Sequence, residues 1–116
     1  TTDIPMNAFD LLKEFPQGLH FCNKRKNKSE LAAQYQHVDF SMLTTEQDEI
    51  WRPNRLETIE EISERTDALK DFILSRFEKK IALVSHNAFL NHFIYERLDS
   101  AYQSLRHCFP YELILH

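Results

Sequence analysis

The segment IALVSHNAFLNHF, residues 81–93, changes its hydrophobic pattern at a Ser-His pair. Before the pair lies a short continuous apolar run, the pattern of a strand buried on both faces. After it comes an apolar stretch with helical character, and no glycine separates the two. A buried strand of this kind needs covering layers and strand neighbours, because a lone one leaves its ladder groups and apolar faces exposed. This feature therefore argues for an α/β layer fold with the 81–85 strand in its middle.

The remaining pattern agrees with that reading. Thr58 and Glu61 have capping-box spacing, in which each side chain satisfies an otherwise unpaired backbone N–H. Ile59, Ile62, Thr66, Leu69 and Ile73 follow at steps of three and four, which predicts one apolar face of a helix ending near Phe77. A second helix is expected over 88–98, and YELILH alternates well enough for a closing strand. Shorter elements are expected earlier: a strand around 8–12, a helix capped by Ser29 and running to Tyr35, and a helix over 45–51 stopped by Pro53. Gly18 is the single glycine, so other positive-φ turns fall to residues such as Asn54 and Asn87. No repeat, linker or boundary interrupts residues 1–116, which read as one domain.

Composition excludes several classes. At 42% hydrophobic residues the chain is rich enough to fold, and a net charge of −4 argues against a general nucleic-acid binder. The cationic island NKRKNK, residues 23–28, has only Phe21 nearby to stack a base, so a solvated or anion-steering loop is the better reading. No apolar run approaches a membrane span, and no secretory h-region opens the chain. Two cysteines, Cys22 and Cys108, do not make a disulfide scaffold and suggest a reducing, cytoplasmic setting. Zinc has suitable residue types in His20, Cys22, His107 and Cys108, but their spacing lacks the usual gaps within ligand pairs, so no metal is expected.

The chemistry concentrates at the strand tip. In open α/β sheets, ligands collect at the carboxyl ends of strands. His86 sits there, just before a helix N-terminus whose free N–H groups favour an anion. A protonated imidazole beside those donors suits a phosphate; the plainer alternative is a histidine bonded to a neighbouring carbonyl. Ser85 is disfavoured as its catalytic partner, because adjacent strand residues point to opposite faces.

IALVSHNAFLNHF resembles the C-terminal signature of the histidine phosphatase superfamily, the phosphoglycerate mutase-like proteins, where a hydrophobic strand ends in Ser/Thr-His before an apolar helix. LLKEF is similar to the family segment carrying the acidic residue, and FCNKRKNKSELAAQYQHVDFSML to a Cys-Asp-(Lys/Arg)-Arg stretch found in one branch. DEIWRPNRLETIEEISERTDALKDFI resembles the approach to the long helix, and RHCFPYELIL the closing strand. The resemblance implies a three-layer α/β/α fold around a mostly parallel sheet, here in part. It also implies a phosphomonoesterase working through a phosphohistidine, with no cofactor and with a phosphorylated small molecule or phosphoprotein as substrate.

Roles follow residue by residue from the same resemblance. His86 would bind the phosphoryl group, and Glu14 would give a proton to the leaving oxygen. Arg25 and Lys24 would line the substrate entrance, and Asn87, standing where the family has a small residue, would meet the phosphate. The family's Arg-His-Gly strand, which carries the nucleophilic histidine, is absent from this sequence. The expectation is a domain whose sheet and nucleophile are completed by another segment or chain, and which is inactive alone. The alternative is a non-catalytic phosphate-binding or protein-interaction module.

Overall fold

A computed structural model of the chain describes residues 4–96, 105 and 110–115. The chain divides into two compact units, Thr1–Asp10 with Pro16–Glu57 and Leu11–Phe15 with Thr58–His116. Short 3-10 turns occur at Asp10–Leu12 and Phe21–Asn23, and three α-helices follow: α1 Lys28–Gln34, α2 Ile59–Ser75 and α3 Asn87–Tyr95.

The first unit is a loop-rich body around Phe40 and Leu43. The strand expected over 8–12 is replaced by the 3-10 turn, and the pairing nearby is one parallel bridge between Asn7 and Asp39. Ser29 does not cap α1. It lies inside the helix, and Glu46 reaches in from outside to accept from its N–H at 3.2 Å and from its hydroxyl. The helix expected over 45–51 also does not form, because its polar groups have better partners. The carbonyls of Thr45, Glu46 and Gln47 accept from Arg25, while Asp48 Oδ1 accepts from the N–H groups of Ile50 and Trp51. Such side-chain-to-backbone bonds compete directly with helix formation.

Gly18 has φ 109°, and a Cβ there would stand 2.0 Å from the Arg55 carbonyl oxygen, so glycine is required on both counts. Among the described residues the other positive-φ positions are Leu19 and Glu96, not the expected Asn54 and Asn87.

In the second unit, α2 starts at the capping box read from the sequence, with Thr58 Oγ1 accepting from Glu61 N–H and Glu61 Oε1 accepting from Thr58 N–H. Its buried face is Ile62, Arg65, Thr66 and Leu69, while Ile59 is 65% exposed. Ile62, Thr66 and Leu69 are thus buried as the spacing predicts, Ile59 is not, and Arg65 joins the buried face. The helix ends at Ser75, where Arg76 turns extended and pairs with Glu78. From α3, Phe89 and Phe93 join Ile62 and Leu69 as the core, with the two rings 6.3 Å apart. Fully burying a side chain of this size is worth about 1.5–3 kcal/mol.

Residues 81–86 and 110–115 carry no regular secondary structure, and among the described residues neither pairs into a sheet. The apolar run at 81–85 is real, yet a strand is defined by its partner, and none is present among the described residues. Val84 is accordingly 86% exposed and Ile114 72%. Between these two segments and the sides of α2 and α3 lies a groove of about 890 Å³, whose walls include Ile73, Ile81, Leu90, Phe93 and Leu113. No helix among the described residues is long and apolar enough to cross a membrane.

Candidate functional site

The expected pivot, His86, stands in extended conformation (φ −116°, ψ 163°) and is the N-cap residue of α3. Its ring is exposed and does not cap its own helix. Among the described residues the imidazole and the N–H groups of Asn87 and Ala88 meet no acceptor or donor. The uncapped first turn of a helix carries partial positive charge and unsatisfied donors.

The third N–H of that turn is occupied. Glu14 Oε1 accepts from Phe89 N–H at 3.1 Å and from Phe15 N–H at 2.9 Å. The carboxylate thus comes from the 11–15 segment to the same helix end that His86 caps. Ser85, the residue before the histidine, donates its hydroxyl to the Leu12 carbonyl and fixes that segment from the other side.

A residue that the sequence reading passed over holds Glu14 in place. Arg65, buried on α2, donates from Nη1 to the carbonyls of Leu11 at 3.2 Å and Lys13 at 2.7 Å. From Nη2 it donates to the carbonyl of Glu14 at 3.3 Å, and its guanidinium lies 4.8 Å from the centre of the Phe89 ring. A planar fork of donors suits such a cluster of carbonyls, which a lysine would not satisfy. The signal was available: Arg65 falls three residues after Ile62 and four before Leu69, squarely on the apolar stripe.

Asn87 is engaged with the protein. Its Oδ1 accepts from Leu105 N–H and from Asn91 Nδ2, each at 2.9 Å, and Asn91 Nδ2 also reaches the Asn87 carbonyl. Asn91 is fully buried. The second histidine of the motif, His92, is buried too, with Nδ1 3.4 Å from Thr66 Oγ1. Burial pushes its pKa down, opposed chiefly by the nearby Glu96 carboxylate, so His92 is a neutral packing residue at pH 7.

Lys24 and Arg25 belong to the first unit. Arg25 Nε donates to Asp10 Oδ1 at 2.8 Å, and its Nη atoms reach Asp10 Oδ2, Thr45 Oγ1 and the carbonyls of residues 26 and 45–47. Its backbone N–H donates to Asp48 Oδ2. The side chain is 10% exposed, so the guanidinium is spent on organising this loop. Lys24 Nζ lies 5.6 Å from the centre of the exposed Phe21 ring and 5.2 Å from that of Trp51, whose Nε1 donates to the His20 carbonyl. His20 and Cys22 are exposed, and His107 and Cys108 lie outside the described residues. Among the described residues, no three His, Cys, Asp or Glu side chains gather into a metal site.

Comparison with known proteins supplies relatives from Arabidopsis thaliana. A phosphoglycerate mutase-like protein is 37% identical over 87 residues, which are 75% of this chain and 32% of that protein. Phosphoglycerate mutase-like protein 1 is 37% identical over 75 residues, covering 65% of this chain and 27% of the relative. Phosphoglycerate mutase-like protein 2 is 33% identical over 84 residues, covering 72% and 23%. The chain therefore spans a third or less of the length of these relatives. No family model and no solved structure matches it.

Proposed function

From the premise that this chain is a relative of the phosphoglycerate mutase-like proteins, of the histidine phosphatase type, we propose that it is the phosphate-holding part of a phosphomonoesterase. One observation carries the reading: His86 and the N–H groups of Asn87 and Ala88, which meet no partner among the described residues, share a helix end with the carboxylate of Glu14. The imidazole N–H and the amides donate to the phosphoryl oxygens. The nucleophilic histidine, outside this chain, attacks phosphorus; the ester P–O bond breaks, and Glu14 gives its proton to the leaving oxygen. Water then attacks phosphorus, the P–N bond to the histidine breaks, Glu14 takes a proton from that water, and inorganic phosphate departs. The substrate is a phosphorylated small molecule or phosphoprotein, to whose anion Lys24 offers a cation, while Arg25 organises the 45–47 loop.

An α/β fold accords with the kinship, and the parallel sheet is completed by a segment or chain beyond these residues. The groove beside residues 81–86 and 110–115 supports that completion, since an added strand would cover its apolar wall and satisfy free backbone groups. The cysteine usage is in keeping with the cytoplasm.

Titrating inorganic phosphate into the chain and following the His86 ring and the Asn87 and Ala88 amides by NMR tests the anion site. A saturable shift at all three is expected, and unmoved resonances would overturn the reading. The chain alone should not hydrolyse p-nitrophenyl phosphate; hydrolysis lost in His86→Ala would refute the need for completion. Supplying an Arg-His-Gly-bearing segment of a relative in trans should restore turnover. Phosphate binding without turnover in that complex would instead favour a non-catalytic phosphate-binding module.

A further inference from the structure

The role of Asn87 is open to a sharper statement, which rests on the phosphate-holding reading of His86. An asparagine in the first turn of a helix ordinarily competes for the helix's own free N–H groups. Here it does not. Its Oδ1 already accepts from Leu105 N–H and Asn91 Nδ2, both at 2.9 Å. Leu105 N–H requires an acceptor, so the carboxamide orientation is fixed by its partners. Asn91, fully buried one helical turn on, holds the arrangement from behind by donating to both the carbonyl and the Oδ1 of Asn87. The chain eighteen residues downstream is thereby tied to the residue next to His86.

We infer that Asn87 is a positioning residue, not a phosphate ligand: it brackets the chain at Leu105 onto the start of α3 and keeps its own oxygen off the amides that the anion needs. The bracket acts on the site through two consequences. Leu105 becomes a fixed neighbour of the residue that follows His86, and the Asn87 side chain leaves the N–H groups of Asn87 and Ala88 uncapped. A small residue at this position, as the family resemblance would have it, supplies the second consequence without the first.

The test uses the full chain with Asn87→Ala, Asn87→Asp and Leu105→Pro. Hydrogen exchange at the Leu105 amide reads the bracket, and inorganic phosphate titration at His86 reads the site. Loss of one bond of about 1.4 kcal/mol corresponds to about tenfold faster exchange, expected in Asn87→Ala. Asn87→Asp keeps an acceptor and should keep Leu105 protection within about twofold. Leu105→Pro removes the N–H while leaving Asn87 intact, and it should weaken phosphate binding about as much as Asn87→Ala does. Unchanged Leu105 exchange in Asn87→Ala would overturn the bracket. Weakened phosphate binding in Asn87→Ala but not in Leu105→Pro would make Asn87 a direct ligand and overturn the inference. Wild-type chain that protects Leu105 but never binds phosphate would refute the functional reading while leaving the bracket itself demonstrated.

Discussion

Glu14 Oε1 accepts a hydrogen bond from the N–H of Phe89 at 3.1 Å, so a carboxylate from the 11–15 segment caps the helix that begins at His86. This single contact joins the two motifs that lie farthest apart in the candidate site. It also has a measurable energetic content. Replacing Glu14 with Gln keeps an oxygen for the amide but removes its charge, whereas Ala removes the cap entirely. Ala should cost about 0.5–2 kcal/mol, the range for lost N-terminal caps, and Gln less. Urea unfolding of both variants measures the difference, and equal stability of Ala and wild type would show the contact to be idle.

Arg65 should be less replaceable than Glu14. It satisfies the carbonyls of residues 11, 13 and 14 from a buried position and packs its guanidinium on Phe89. Removing it leaves half-buried acceptors unsatisfied, at about 1–3 kcal/mol each at most. Arg65→Lys is expected to lose nearly as much stability as Arg65→Met, because an ammonium cannot reproduce the planar fork. Differential unfolding of the two variants checks this. A fully stable Lys variant would show that charge, not geometry, holds the segment.

Much of the helical part was legible because its signals are local. Thr58 and Glu61 lie three residues apart and find each other in any context that allows a helix, and the period from Ile62 to Leu69 needs no distant partner. Elements that depend on distant groups were not readable. Nothing near Ser29 announces that Glu46 will serve α1 in its stead, and nothing within 45–51 announces that Arg25 will take its carbonyls. The 81–85 run illustrates the same limit in reverse, since its composition calls for a strand but pairing depends on groups elsewhere. For the candidate site, the motif named His86 and Glu14, while Arg65 and Asn91 make backbone and buried amide contacts that a motif does not encode.

The buried His92 predicts a pH dependence with a definite sign. Desolvation lowers its pKa in the folded state below the ordinary value of 6.5, while in the unfolded chain it titrates near that value. Below pH 6.5 the unfolded state therefore binds more protons than the folded one, and stability falls as the pH drops towards the folded pKa. Above about pH 7 both states are neutral and this contribution is constant. Urea midpoints should decline between pH 7 and 5 in the wild type, and less so in His92→Gln, which cannot titrate. Equal slopes in the two proteins would exclude His92 as the source.

The engagement of Arg25 separates two roles that the same residue type can fill. A guanidinium waiting for substrate keeps its fork open, whereas Arg25 is 10% exposed and closes on Asp10, Thr45 and three further carbonyls. Its backbone N–H also donates to Asp48, which in turn accepts from Trp51 N–H. Trp51 is the single tryptophan of the chain, so its fluorescence reports on this loop directly. Arg25→Lys keeps the charge but can satisfy only part of the acceptor set, and about 1–3 kcal/mol of stability should be lost in the transition seen by Trp51. Asp10→Asn should reproduce part of that loss, since it weakens the same charge-assisted pair without touching any substrate-facing group. If both variants unfolded like the wild type, the arginine would not be holding the loop, and its guanidinium would be available to an incoming phosphate.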